Sequence, residues 1–312
     1  MIRLYFVVGA IFALSVSATH AQEMDSGVEL YGGLGVAVLR GNEYVYDGTG
    51  SPDRISALYW DSTAPVLSVG MSVDLPKGWV FGLDAQVGMS GDSHMVDYDW
   101  LTPNRTSFAA DQWTDRSIHP DTKLDWYFNG SAKLGYNLID GDSGTVQINA
   151  GFRYIDVSWD GINGTAIYSK GGFRNTVEDF SGQRVISYRQ QLPLGFIGVN
   201  TQFDVDNVTL AFGAQGGLTV GAKDDDIHWL NNDRFLGTGF TSAAFHLDAK
   251  ATYHLNEQTD LFVAGTVDHI VDTRADTQVV KNSTGLPSSS SNDAAGFGFT
   301  GVSLTAGLLG HF

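Results

Sequence analysis

The chain contains no cysteine in 312 residues. An exported protein of this length is then held together without disulfides, which argues against a small stapled fold. Cations are scarce: 18 Lys and Arg stand against 35 Asp and Glu, a formal net charge of −17. That balance argues against a nucleic-acid partner and favours cationic ones. Proline is rare, at 7, and beyond the first residues no stretch reaches the roughly 18 consecutive apolar residues of a spanning helix. Glycine, at 38, and aromatic residues, at 12%, are plentiful. Such richness without helical runs points to many strands.

The opening MIRLYFVVGAIFALSVSATHA carries one early cation, Arg3, an apolar run from Leu4 to about Leu14, and small residues ending at Ala21. Residues 1–21 read as a secretory signal peptide whose apolar run is too short to span a membrane. Residues 22–312 are expected to form a single domain, with a balance of −18 once Arg3 is removed.

A period of two sets the class. In KLDWYFNGSAKLGYNL (123–138), Leu124, Trp126, Phe128, Ala132, Leu134, Tyr136 and Leu138 share one face, opposed by Lys123, Asp125, Asn129, Ser131, Lys133 and Asn137. Residues 207–221 and 245–255 repeat the pattern. Short connections, such as Leu75–Gly78 and Asp140–Gly144, alternate with long ones near 41–54, 91–122, 161–182, 223–241 and 273–295. This alternation marks an up-and-down meander with one plain end and one elaborated end.

Ten strands are predicted, roughly 29–40, 55–74, 79–90, 123–138, 145–160, 183–203, 208–222, 241–255, 260–272 and 296–312. The fold class is therefore all-β: a ten-stranded antiparallel up-and-down transmembrane β-barrel with long extracellular loops and short periplasmic turns. Several strands exceed the roughly 9–11 residues needed to cross a bilayer, so the sheet should project beyond it on the long-loop side. The Ser-rich LPSSSSNDAAG (286–296) reads as a flexible loop, and inward Lys133, Asp125, His246 and Lys250 are expected to pair and plug the lumen. The final aromatic, Phe312, resembles the insertion signal of bacterial outer-membrane barrels.

Two acidic clusters stand at the long-loop ends of strands. Asp97 and Asp99 in HMVDYDWL, and Asp226 and His228 in KDDDIHW, each place two ionisable groups at i and i+2, on one side of an extended segment, with Tyr98 and Ile227 pointing away. They follow the third and seventh strands, nearly opposite walls of a ten-stranded ring, so the pairs could face each other across its mouth. A carboxylate beside an imidazole raises its basicity, and two close carboxylates resist full ionisation. Such a set can activate a water. Taken alone, an Asp-x-Asp also fits solvated surface or a divalent-cation contact.

MVDYDW (95–100), WTDRSIHPDT (113–122), IYSKGGFR (167–174) and DDDIH (224–228) occur in that order in the long loops. In these segments, and from residue 31 to Phe312, the sequence resembles the omptins, outer-membrane endopeptidases of Gram-negative bacteria whose active site faces the cell exterior. The resemblance implies that Asp97 and Asp99 form one wall of the active groove and Asp226 with His228 the other. His228, oriented by Asp226, would be general base on a water held between them, without a covalent intermediate or a metal. It also implies substrate-binding acids at Glu43 and Asp224, and hence cationic peptide or protein substrates cut beside Arg or Lys. Outer-membrane lipid would be a partner and lipopolysaccharide an activator.

Some positions depart from the family. Ile227 replaces an acid, which is expected to change the groove's charge. Asp156 and Gln191 stand where omptins grip lipopolysaccharide phosphates, so either that dependence is lost or a base such as Arg153 or Arg189 substitutes. Three rivals remain. A serine hydrolase would use Ser117, which shares a loop with His119, together with His228, but no G-x-S-x-G elbow exists and a serine in a mobile loop has no evident activator. A metal site could use the four catalytic candidates as oxygen-rich ligands. A non-enzymatic barrel, an adhesin or structural protein, would have no need of all four.

Overall fold

The computed structural model describes residues 27–48, 50–141 and 144–312, so the signal-peptide segment lies outside the described residues. Sixteen strands follow in chain order: β1 (Val28–Tyr46), β2 (Arg54–Leu75), β3 (Trp79–Gly88), β4 (Asp92–Asp99), β5 (Asp115–His119), β6 (Lys123–Gly141), β7 (Gly144–Ile162) and β8 (Thr165–Tyr168). They continue as β9 (Thr176–Asp179), β10 (Arg184–Val205), β11 (Val208–Thr219), β12 (Ala222–His228), β13 (Asp233–Phe240), β14 (Ala243–Asn256), β15 (Thr259–Lys281) and β16 (Pro287–His311). Ten of them close a ring in the order β1, β2, β3, β6, β7, β10, β11, β14, β15, β16, with β1 paired antiparallel to both β2 and β16. Closure satisfies every ladder edge, which lipid demands. At the β1–β16 seam a Cβ on Gly35 would stand 2.1 Å from the Leu304 carbonyl oxygen, so only glycine lets the strands approach.

The outer surface carries an apolar belt. Leu34, Val36 and Val38 of β1 face outward, as do Ile197 and Leu304, while the alternate Ala37 and Leu39 are buried. The belt ends above at the outward Arg40–Asp61 ion pair and below near the Trp79–Tyr136 aromatic pair, whose rings lie 5.1 Å apart. Inside, Arg153 meets Asp268 at 3.5 Å, His246 Nδ1 lies 2.8 Å from Asp268, and Asn129 and Gln215 complete the network. This plug fills the lumen, and the stacked rings of Trp60, Trp159 and Tyr188 lie on the same inner face nearer the long-loop end.

The structure departs from four expectations. The Ser-rich segment is strand, with Ser289 and Ser291 paired to Val279 and Thr277. A register shift between Leu124 and Trp126 reverses the alternation, so Leu124 turns inward and Asp125 is exposed rather than part of the plug. The long connections are largely sheet, in β4, β5, β8, β9, β12 and β13. Arg153 is committed to the lumen, so it cannot reach lipid.

Candidate active site

Above the belt the ring continues as two walls. On one side β2 pairs with β4, β4 with β5, β5 with β8 and β8 with β9. On the other, β10 pairs with β12, β12 with β13 and β13 with β15. Strand alternation puts Asp97 and Asp99 of β4 on the groove face, with Ser56 Oγ donating to Asp97 Oδ1 at 3.2 Å. Across the groove, Asp226 Oδ2 lies 2.7 Å from His228 Nε2. The sequence-derived pairs are thus brought together, on strands rather than loops.

The electrostatics tie the walls into one unit. Burial pushes the Asp97 carboxyl up to about 6, against the pull of His228 and the Ser56 hydrogen bond. Asp99 is pushed well above the carboxylate range by burial and then by Asp97. Burial works against the His228 imidazolium, yet Asp226 first, then Asp97 and Asp99, outweigh it and raise the ring to about 9. The Asp97 and Asp99 charges act on the His228 ring, and His228 acts on both carboxyls in turn.

Glu43 and Asp224 form a buried acidic cluster on the same inner face. Trp60 Nε1 donates to Glu43 at 3.4 Å, and Tyr188 Oη and the Gly237 amide donate to the two Asp224 oxygens at 3.1 and 2.9 Å. Burial, then Asp226 and Asp224, hold Glu43 well above its ordinary range. Asp224 rises to about 7 by burial, with Asp226 adding to it and the Tyr188 hydrogen bond opposing. A carboxyl raised on folding binds its proton more tightly in the folded state, so stability is present at low pH and lost as pH rises towards the folded value. Glu43→Gln is therefore expected to melt at least about 3 °C above the parent at pH 8, with the gap closing towards pH 4 in a thermal denaturation series.

Several site residues were not anticipated. Ser56, Trp60 and Tyr188 come from strand register, which no local motif encodes. Asp115 lies inside WTDRSIHPDT and faces the groove opposite Asp99. Ile227 lies on the outer face with Asp225, so its replacement of an acid leaves the groove's charge unchanged. Ser117 and His119 sit on β5, not on a mobile loop, and do touch, at 3.1 Å. The His119 ring is fully buried, stacked on Phe180 and bonded to the Asn163 carbonyl at 2.6 Å. Burial lowers its basicity against that backbone bond, and among the described residues no carboxylate is bonded to it, so the pair pins β5 rather than activating a nucleophile. Among the described residues, no three His, Asp or Glu side chains converge as metal ligands would.

Residues 25–312 match the model described as the omptin family. The chain belongs to the omptin family. This omptin is 26% identical to the outer membrane protease OmpP of Escherichia coli strain K12 over 281 residues, covering 88% of this chain and 87% of that protein. It is 25% identical to the outer membrane protease IcsP of Shigella flexneri, covering 98% of each. The crystal structure of the outer membrane protease OmpT from Escherichia coli superposes with a TM-score of 0.84 at 21% identity, covering 95% of this chain and 99% of that one. The omptin barrel described here resides in the outer membrane of a Gram-negative bacterium.

Proposed function

We propose that this omptin is an endopeptidase that cuts cationic peptides and exposed protein loops beside Arg or Lys. The observation that carries the reading is the electrostatic linkage of Asp97 and Asp99 to His228, with Asp226 bonded to that ring and linked in turn to buried Glu43 and Asp224. A substrate guanidinium that reaches Glu43 and Asp224 meets two buried carboxyl groups, a geometry Arg fills well. A water between the walls gives its proton to His228, which Asp226 orients, and attacks the peptide carbonyl. The imidazolium then returns the proton to the leaving amine. Asp97 and Asp99 share protons as a coupled pair and hold the water, and no bond to the protein forms.

A second reading of the proton's path is favoured by one observation. With Asp97 near 6 and His228 near 9, the prevailing state between those values is an Asp97 carboxylate and a His228 imidazolium. In that state Asp97 is the base and His228 the acid. The profile of kcat/KM against pH separates the two: a rise that levels only near 9 assigns the base to His228, and a bell between about 6 and about 9 assigns it to Asp97.

Lipopolysaccharide is proposed to be dispensable. Arg189 makes a bidentate pair with Asp156, at 2.8 and 2.6 Å, and Gln191 donates to Tyr154 at 2.8 Å. Arg234 is likewise held by Asp225, and Arg184 by Asp160. These outward cations are neutralised by the protein itself. The test is refolded protein offered an Arg-Arg or Arg-Lys peptide in detergent, with and without lipopolysaccharide. Cleavage is expected in both, within about 5-fold, the scale of an exposed ion pair. Cleavage only with lipopolysaccharide would refute the dispensability, and cleavage in neither would favour a non-enzymatic adhesin or structural barrel.

A further inference from the structure

One lateral row of residues runs the length of the groove wall. Strand register places Glu43 of β1 opposite Leu58 of β2, Leu58 opposite Asp97 of β4, Asp97 opposite Ser117 of β5, Ser117 opposite Ala166 of β8 and Ala166 opposite Glu178 of β9. All belong to the inward alternation, as the exposure of the intervening Val177 and the burial of Ala166 show. Glu43 thus stands on one side of Asp97 and Glu178 on the other. Glu178 is already half of a working cation site. The Lys170 ammonium is ion-paired to it and lies 5.0 Å from the centre of the Tyr168 ring, a carboxylate and an aromatic face gripping one amine. Tyr168 is two residues beyond Ala166 on β8, so alternation puts it on the same face as Ala166 and Glu178. Lys170 itself is well exposed, so a competing cation can replace it.

We infer that Glu178 and Tyr168 form a second cation-recognition subsite, for a Lys or Arg side chain downstream of the scissile bond, which Lys170 occupies until substrate displaces it. The inference rests on the endopeptidase reading, with the residue before the cut in the Glu43/Asp224 pocket. Neighbouring strands are about 4.8 Å apart, so three strand steps from Asp97 to Glu178 span roughly 14 Å. An extended peptide advances about 3.4 Å per residue, which sets the recognised position at about the third or fourth residue after the cut.

The experiment uses the full-length barrel and quenched fluorescent peptides identical except for Lys or Ala at the third or fourth position after an Arg-Arg site. The readout is the ratio of kcat/KM for the Lys peptide over the Ala peptide. The parent is expected to favour Lys by about 5-fold, the scale of one partly exposed ion pair. Glu178→Gln should bring the ratio close to one, Lys170→Ala should raise it, and Glu178→Lys should reverse it in favour of Ala. A ratio unaltered by Glu178→Gln and Glu178→Lys would overturn the subsite. Failure of the parent to cut any of the peptides would instead overturn the endopeptidase reading.

Discussion

Replacing His228 by alanine is expected to lower kcat/KM on an Arg-Arg peptide by about 10²–10⁴-fold, the range of a positioned acid–base group. The loss should fall on kcat, because the proposed mechanism has the ring act on the attacking water and not on the substrate's basic side chain. Asp226→Asn should act through the same ring. The 2.7 Å contact that orients the imidazole would remain, but the charge that most raises its basicity would go. The His228 titration is therefore expected to move down from about 9 in Asp226→Asn, a shift that NMR of the imidazole can follow. An Asp226→Asn variant with the parent titration would show that the carboxylate is a spectator.

The second large effect belongs to the pocket. Asp224→Asn removes a buried charge from the place assigned to the substrate guanidinium. Truncating one partner of such a pair costs on the order of 2–5 kcal/mol, so kcat/KM for an Arg peptide should fall by about 30-fold or more. The pH dependence has a definite sign. With Asp224 at about 7 and Glu43 well above its ordinary range, the empty pocket carries protons near neutrality that a guanidinium must expel. KM for the Arg peptide should decrease as pH rises through about 7, whereas the citrulline analogue, with no charge to pair, should show no such trend. Equal trends for both peptides would place the basic side chain elsewhere.

Much of this geometry was legible in the sequence, for a physical reason. A membrane barrel must alternate apolar and polar residues wherever one face meets lipid, so Leu34, Val36 and Val38 against Ala37 and Leu39 write the strand into the chain. The same alternation makes Asp97 and Asp99 share a face, as Asp226 and His228 do. Above the belt both faces meet water and the signal fades. Ser289 to Ser291 look like a linker yet pair as strand with β15, and Ser288 adds an Oγ hydrogen bond to the Val279 carbonyl. A bulge is equally silent: one residue between Leu124 and Trp126 sends Asp125 outward with nothing in the local composition to announce it. The supports of the site, Ser56, Trp60 and Tyr188, were hidden because each reaches its partner across strands distant in sequence. His119 had the opposite fault. Its spacing from Ser117 suggested chemistry, but burial against Phe180 makes it a strut.

The raised carboxyls also describe a compromise. Asp99, Glu43 and Asp224 are each held above their ordinary range by burial and by neighbouring acids, Asp97 for the first and Asp226 for the other two, which costs stability as pH rises.

The decisive measurement is kcat of Asp97→Ala, His228→Ala and the double variant on one Arg-Arg peptide. If the two walls act on a single water, the second substitution adds little to the first, and the double variant retains about the activity of the weaker single. Losses that multiply, or a His228→Ala protein that cuts at the parent rate, would mean that the facing pairs do not work as one unit.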